Sequence, residues 1–306
     1  GYYVPAAGTL FVRTGVDSSL VRPVLVHELV HALQDQHLDL DSLTDALSGR
    51  NDRSAAAQSA LEGHATHVMI EWELSRRLGR SVDLTGMPDL SALLGGADLA
   101  SLAGMPALSG APEVVRETLI FPYVGGLGMV QALWRARDGR PAPTGRWMPT
   151  STEQVLHPER LLSDPPDAPT EVRFGDPPEG WREVHADALG ELETRIWLDG
   201  HLADSARARE AAAGWDGDRY RLLRGPEGRE ALAWVTVWDA PSEAEAFRRA
   251  AGEAYDRLQA DRAGRRHEVR RREVDGRPTV TIWDGPADLP AGVAERALRV
   301  RLEGGG

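Results

Sequence analysis

The feature that most constrains this chain is the segment HELVH at residues 27–31, which lies inside an apolar stretch over 24–33. The spacing of its apolar residues and the absence of a helix breaker before Asp39 predict an α-helix. Helical residues four apart differ by roughly 40° and about 6 Å of rise, so the imidazoles of His27 and His31 can reach one metal ion. Glu28 lies beside them, where its carboxylate can take a proton from water activated at that metal.

Two histidines leave a catalytic zinc site one protein ligand short, and the sequence offers two candidates. His37 completes HExxHxxQxxH, the spacing of the metzincins, but that class needs a glycine where this chain has Gln34, because the backbone must turn there. In a continuous helix His37 would lie roughly 9 Å beyond His31 and about 80° off the ligand face. Glu62 lies 31 residues after His31 on a second predicted helix, over 54–78, and the adjacent Gly63 permits close helix packing.

The same second helix carries His64, His67 and Glu71 at helical spacing. These three side chains are a candidate for a second metal site. A solvated polar face of the helix explains them more simply, and we expect that arrangement.

Composition narrows the classes of function. The chain has 306 residues, a formal net charge of -12 and no cysteine, so thiolate-ligated zinc, thiol catalysis and disulfides are absent. The acidic excess argues against a nucleic-acid partner. No apolar run is long enough to span a bilayer. The first ligand histidine comes only 26 residues after Gly1, so we expect an upstream segment outside this chain and favour an extracytoplasmic or secreted protein, with the compartment and oligomeric state left open.

The pattern of predicted elements indicates an α+β protein with two parts. Residues 1–165 form a helical catalytic half with a short edge strand over 8–14, and residues 166–306 form a smaller α+β module. In the first half we predict a mobile excursion over 80–111, a helix over 113–121 that stops at Pro122, and a following helix that ends at Gly139. In the second half we predict a helix over 187–213 and several strands.

An internal repeat runs through the second half at an offset of 45 residues. The segment VTVWDAP at 235–241 matches VTIWDGP at 280–286, and each copy follows a pair of predicted strands and precedes a helix. We interpret the module as a ββα unit used twice.

Several segments together resemble known zinc peptidases. HELVHALQDQH (27–37), LEGHAT (61–66), FPYVGG (121–126) and STEQVLHP (151–158) resemble a bacterial family of zincin-like metallopeptidases of the gluzincin type, in which HExxH is followed by a downstream glutamate ligand. The resemblance spans roughly the first half of the chain. It implies a zincin-like fold and one zinc ion held by His27, His31 and Glu62. Gluzincins often carry an aspartate four residues after the ligand glutamate, and this chain has Thr66 there.

The resemblance also implies a reaction, the hydrolysis of a peptide bond in a peptide or protein substrate. Glu28 is then the general base, and the oxyanion needs a donor besides zinc, for which His157 and then Tyr123 are our candidates. Two alternatives stay open: a non-catalytic interaction protein with a vestigial or structural zinc site, and a zinc hydrolase of a non-peptide amide. An intact Glu28 argues against the first, because a structural site has no use for a base.

Overall fold

The computed structural model describes residues 1–12, 14–15, 18–90, 110–259 and 263–304, and it shows a mixed α+β protein. Two compact units divide the chain. The first comprises Gly1–Gly49 and Arg53–Pro166, and the second comprises Arg50–Asp52 and Asp167–Gly306. The excursion predicted over 80–111 lies mostly outside the described residues. Within the described ranges no helix combines the length and the apolar character that crossing a membrane requires.

The first unit is mainly helical and carries one small hairpin, in which Tyr3 pairs with Leu10 in antiparallel register. Its elements are β1 (Tyr2–Val4), β2 (Thr9–Phe11), α1 (Ser18–Leu38), α2 (Leu40–Leu47), α3 (Asn51–Leu78), α4 (Glu113–Ala136), α5 (Thr152–Leu156) and α6 (Pro158–Leu162). The strand expected over 8–14 is therefore shorter, and its partner β1 was not predicted.

Helix α4 does not stop at Pro122, contrary to the prediction from the sequence. Proline removes one backbone donor and crowds the preceding turn, which normally ends or kinks a helix. Here Phe121, Pro122, Gly126 and Leu127 are all buried, so the helix gains burial by continuing through the proline. Tertiary packing thus outweighs the local preference.

Helices α3 and α4 cross in direct backbone contact. A Cβ atom built on Gly63 would overlap the backbone of Gly126, and one built on Gly126 would overlap the carbonyl of Ser59. From the sequence we expected Gly63 to permit a close approach to the helix of His27 and His31, whereas in the structure its backbone contact is with α4. This crossing sets Glu62, the residue before Gly63, against the segment of α4 that carries Tyr123.

The second unit is built on a five-stranded antiparallel sheet with the order β4-β5-β6-β8-β7, and β3 pairs separately with β9. Its elements are β3 (Glu171–Phe174), β4 (Arg182–Asp187), α7 (Gly190–Leu202), α8 (Ser205–Ala212), β5 (Trp215–Arg224), β6 (Glu230–Trp238), α9 (Pro241–Gln259), β7 (Arg265–Val274), β8 (Arg277–Pro286), α10 (Ala291–Ala297) and β9 (Val300–Glu303). The single helix predicted over 187–213 is two helices, because Ala203 has a positive φ of 54° and ends the first.

Helices cover both faces of this sheet. Along β6 the side chains of Trp234 and Trp238 pack on one face with α7, α8 and α9, whereas Val235 packs on the opposite face with α10. In β8 the order is reversed, since Val280 lies on the α9 face and Trp283 on the α10 face. Residues related by the 45-residue offset, such as Trp238 and Trp283, therefore point to opposite faces of the sheet.

The helix crossing generates a stability prediction. Gly126→Ala inserts a Cβ against the Ser59 carbonyl, which belongs to the backbone and cannot rotate away, so we expect a loss of about 1–3 kcal/mol in the free energy of unfolding. The matched control is Gly252→Ala in α9, where a Cβ would meet no described atom within 4 Å. This control should be neutral or gain up to about 1 kcal/mol from helix propensity. Urea unfolding followed by circular dichroism measures both, and equal stabilities of the two variants would contradict the crossing.

Candidate metal centre

Three side chains converge between α1 and α3. The Nε2 atom of His27 lies 3.0 Å from Oε2 of Glu62 and 3.0 Å from Nε2 of His31. The Nε2 atom of His31 lies 3.4 Å from the same Glu62 oxygen. Each side chain is 12–15% exposed, so the cluster is largely shielded from solvent.

This triangle fits three corners of a tetrahedral metal site. Zinc binds imidazole nitrogen and carboxylate oxygen at about 2.0–2.1 Å, which separates neighbouring ligand atoms by about 3.3 Å. The three observed separations of 3.0, 3.0 and 3.4 Å are close to this value. One nitrogen pair and one carboxylate leave a fourth corner for water or substrate, the donor set of a catalytic rather than a structural zinc site.

The electrostatics of the cluster favour a cation. Burial by itself raises the pKa of Glu62, but hydrogen bonds with His27 and His31 outweigh burial and lower this pKa to about 2. Burial lowers the pKa of His31, but the Glu62 carboxylate and the Gln34 contact outweigh it and raise this pKa. The buried carboxylate of Glu62 is therefore stabilised by a positive charge, which either a proton on His31 or a metal ion can supply.

Glu28 lies next to the cluster and is held by the hairpin. The residue is 9% exposed, and its Oε2 accepts a hydrogen bond of 2.8 Å from the backbone N–H of Tyr3. The hydroxyl of Tyr3 donates to Asp35 at 2.8 Å. Tyr3 therefore forms hydrogen bonds with two residues of α1, Glu28 and Asp35, that lie two helical turns apart. The charge of Glu28 contributes to the raised pKa values of His31 and Tyr123.

Tyr123 stands beside the cluster on α4. Its ring lies against that of His27 with centroids 6.1 Å apart and an angle of 26° between the planes. Burial raises the pKa of Tyr123, and the charge of Glu62 together with a hydrogen bond to it raises that pKa further. The hydroxyl therefore stays protonated and able to donate at neutral pH.

His37 does not join the cluster. Helix α1 continues without a turn to Leu38, and the exposed ring of His37 donates from Nδ1 to the carbonyl of Leu33 at 2.8 Å. The metzincin spacing is thus present in the sequence without the bend that would bring a third histidine back.

The expectation of a solvated face at His64, His67 and Glu71 was wrong. His67 is fully buried, and both of its ring nitrogens lack a hydrogen-bond partner among the described residues. Its ring packs edge-on against Trp134 at 4.6 Å. Burial lowers the pKa of His64 to about 4. These three residues do not form a three-ligand group either, since Glu71 is paired with Arg140 at 2.8 Å.

His157 ends α5 and precedes α6. Its side chain is 36% exposed, and Nδ1 lies 3.9 Å from a carboxylate oxygen of Glu159. Its role as an oxyanion donor stays a prediction.

Sequence reasoning missed Gln34 as a site residue. Its Oε1 lies 2.8 Å from Nδ1 of His31, and its amide nitrogen bonds the carbonyl of Leu61 on α3. A signal was present, because a glutamine three residues after the second histidine lies on the ligand face of the helix. The metzincin pattern uses this position only for a glycine, so it does not identify Gln34 as a contact of His31.

Comparison with known proteins reaches only the second unit. Residues 177–289 match a family model described as "Domain of unknown function (DUF8575)". No curated protein and no solved structure matched the chain. The candidate metal residues all lie outside the matched segment.

The geometry of the cluster predicts a metal-binding hierarchy. We expect His27→Ala and His31→Ala to abolish stoichiometric zinc binding and Glu62→Ala to weaken it strongly, because each removes one of three converging ligands. His37→Ala is the matched control on the same helix and should bind like the unaltered chain. Zinc content after dialysis, together with competition against a chromophoric chelator, measures these affinities. Zinc lost in His37→Ala and kept in Glu62→Ala would refute the assignment of ligands.

Proposed function

We propose that this chain is a zinc-dependent hydrolase of peptide bonds, with the gluzincin-type ligand set His27, His31 and Glu62. The observation that carries the proposal is the convergence of these three ligand atoms within 3.0–3.4 Å of one another, with Glu28 beside them. A purely structural zinc site is normally closed by four protein ligands and needs no neighbouring carboxylate.

The three ligands would hold one zinc ion with a vacant fourth corner. When bound, zinc lowers the pKa of water toward about 7 and polarises a carbonyl oxygen, which is the chemistry that amide hydrolysis requires. The triangle of ligand atoms supports this role through its size, its shielding and its net negative charge.

Glu28 would act as the general base. Its carboxylate accepts the proton of the attacking water and then transfers it to the nitrogen of the leaving amine. The hydrogen bond from the Tyr3 N–H uses Oε2 and leaves Oε1 for the water.

Two residues are proposed for the developing oxyanion. Tyr123 has the stronger support, because its hydroxyl lies beside Glu62 and its raised pKa keeps the proton available for donation. His157, which the sequence ranked first, is now the second candidate, at the connection between α5 and α6.

The finer features of the fold are part of the proposal. A zincin-like arrangement is supported by the pairing of α1 with α3 and by the hairpin that contacts Glu28, whose free edge we propose as the wall against which an extended peptide lies. For the second unit we propose a duplicated origin of the β5-β6-α9 and β7-β8-α10 segments, supported by the repeated sequence. Side chains related by the repeat point to opposite faces of the sheet. We therefore expect β6 with α9 to superpose on β8 with α10, but not the preceding strands β5 and β7.

Cleavage of a peptide library by the purified chain, with and without a chelator, tests the proposal. We expect cleavage that the chelator stops and that added zinc restores. A chain that binds zinc yet leaves all peptides intact while cleaving small amides would instead be a hydrolase of non-peptide amides.

The base role predicts the behaviour of one isosteric variant. Glu28→Gln keeps the size of the side chain and an acceptor for the Tyr3 N–H, but it cannot take up a proton. We expect zinc binding within a few-fold of the unaltered chain, an unchanged fold and almost complete loss of hydrolysis. Asp35→Asn, two turns further along α1, controls for loss of a carboxylate that contacts Tyr3. Full activity of Glu28→Gln would refute the mechanism.

The oxyanion role predicts a loss of turnover in a second variant. Tyr123→Phe deletes one hydroxyl, and removal of one oxyanion donor typically lowers kcat by about 10²–10³. We expect that loss with KM within a few-fold and with zinc retained. His157→Ala is measured alongside. A large loss of kcat in His157→Ala with none in Tyr123→Phe would assign the oxyanion donor to His157. A normal kcat in both variants would mean that zinc and backbone amides stabilise the oxyanion without either side chain.

A further inference from the structure

Gln34 joins the two helices that supply the ligands. It is buried at 5% exposure on α1, one turn after His31. Its amide oxygen lies 2.8 Å from Nδ1 of His31, and its amide nitrogen lies 3.0 Å from the Leu61 carbonyl and 3.3 Å from Nδ1 of His64. Every polar atom of this side chain therefore has a partner, and one of those partners adjoins the ligand Glu62.

The contacts fix which end of the amide faces which neighbour. A backbone carbonyl can only accept a hydrogen bond, so the NH₂ group must be the end that faces Leu61. The oxygen then necessarily faces His31, and Nδ1 of that ring must be the donor. A neutral His31 with its proton on Nδ1 has its lone pair on Nε2, the atom that points at His27 and Glu62.

We propose that Gln34 is a positioning residue of the metal centre, whose amide oxygen fixes the tautomer and ring orientation of His31 for metal binding. The assignment rests on the proposed zinc function. Gln34 thereby takes the part that an outer carboxylate or carbonyl plays for many zinc-bound histidines. Thr66, at the position where gluzincins often carry that carboxylate, has a buried hydroxyl with no hydrogen-bond partner among the described residues.

Two substitutions separate the oxygen of Gln34 from its nitrogen. Gln34→Met removes both, whereas Gln34→Glu keeps an acceptor for His31 and loses the donor to Leu61. Both variants should therefore lose some stability, because the Leu61 carbonyl loses its side-chain donor. If the oxygen positions His31, only Gln34→Met should also lose zinc affinity, by roughly 10–100-fold. Gln34→Glu should stay within a few-fold of the unaltered chain.

Gln131→Met provides a matched structural control within the same unit. Gln131 is 1% exposed on α4, donates to the Leu84 carbonyl and accepts from the Leu90 N–H, and it contacts none of the three ligands in the described structure. Its replacement should lower stability and leave the zinc affinity unchanged. If a general loss of rigidity in the unit weakened zinc binding, Gln34→Met and Gln131→Met would lose zinc affinity alike. If Gln34 positions His31, only Gln34→Met loses zinc affinity.

The measurement is the dissociation constant for Zn²⁺ alone, from competition with a chromophoric chelator at pH 7.5, together with the Tm of each metal-free variant. Weak zinc binding by Gln34→Met with retained binding by Gln34→Glu and Gln131→Met supports the assignment. Equal affinity of Gln34→Met and the unaltered chain overturns it, and so does an equal loss in Gln34→Glu; both outcomes leave the role of Glu28 intact. An unaltered chain that binds no zinc would overturn the proposed function and this assignment together.

Discussion

The backbone contact between Gly63 and Gly126 is the constraint on which the first unit depends. Any side chain at either position would force α3 away from the segment of α4 that it touches. Because Glu62 adjoins Gly63 and Tyr123 lies one turn before Gly126, this contact brings a carboxylate and a phenol together without help from a flexible loop. Helix α1 then needs only its own i, i+4 spacing to add two imidazoles. The cluster is thus positioned by three helices, which hold side chains more rigidly than loops do.

Several groups around the cluster hold the reactive atoms in place. His31 donates from Nδ1 to Gln34, Glu28 accepts from the Tyr3 N–H, and the ring of Tyr123 lies against that of His27. The first two contacts use Nδ1 of His31 and Oε2 of Glu28, and they leave Nε2 of His31 and Oε1 of Glu28 for other partners. The hydrolysis proposed for this chain would require such preorganisation of its side chains. The matched family covers only the second unit and carries no stated activity, so the case for function depends on this geometry.

Much of the candidate centre could be read from local spacing, and the remainder depended on contacts between distant residues. His27, Glu28 and His31 follow from helical geometry alone. The choice of Glu62 over His37 needed the knowledge that α1 continues to Leu38, which its sequence indicated by lacking a turn residue. The helix through Pro122 and the buried His67 were not predictable in this way. Both depend on what packs against α4 and α3, and neither side of that packing is local in sequence.

By itself the sequence determined an α+β chain, a helix that aligns two histidines and a glutamate, and a repeated strand followed by a helix. Only the tertiary structure decided the faces on which the repeated strands bury their side chains. The two copies are adjacent antiparallel strands, with Trp234 opposite Ile282, and directly opposed residues share a face of the sheet. This register puts Trp238 on the α9 face and Trp283 on the α10 face. Alternation along a strand is local, but pairing register is set between strands, and a shift of one residue exchanges the two faces.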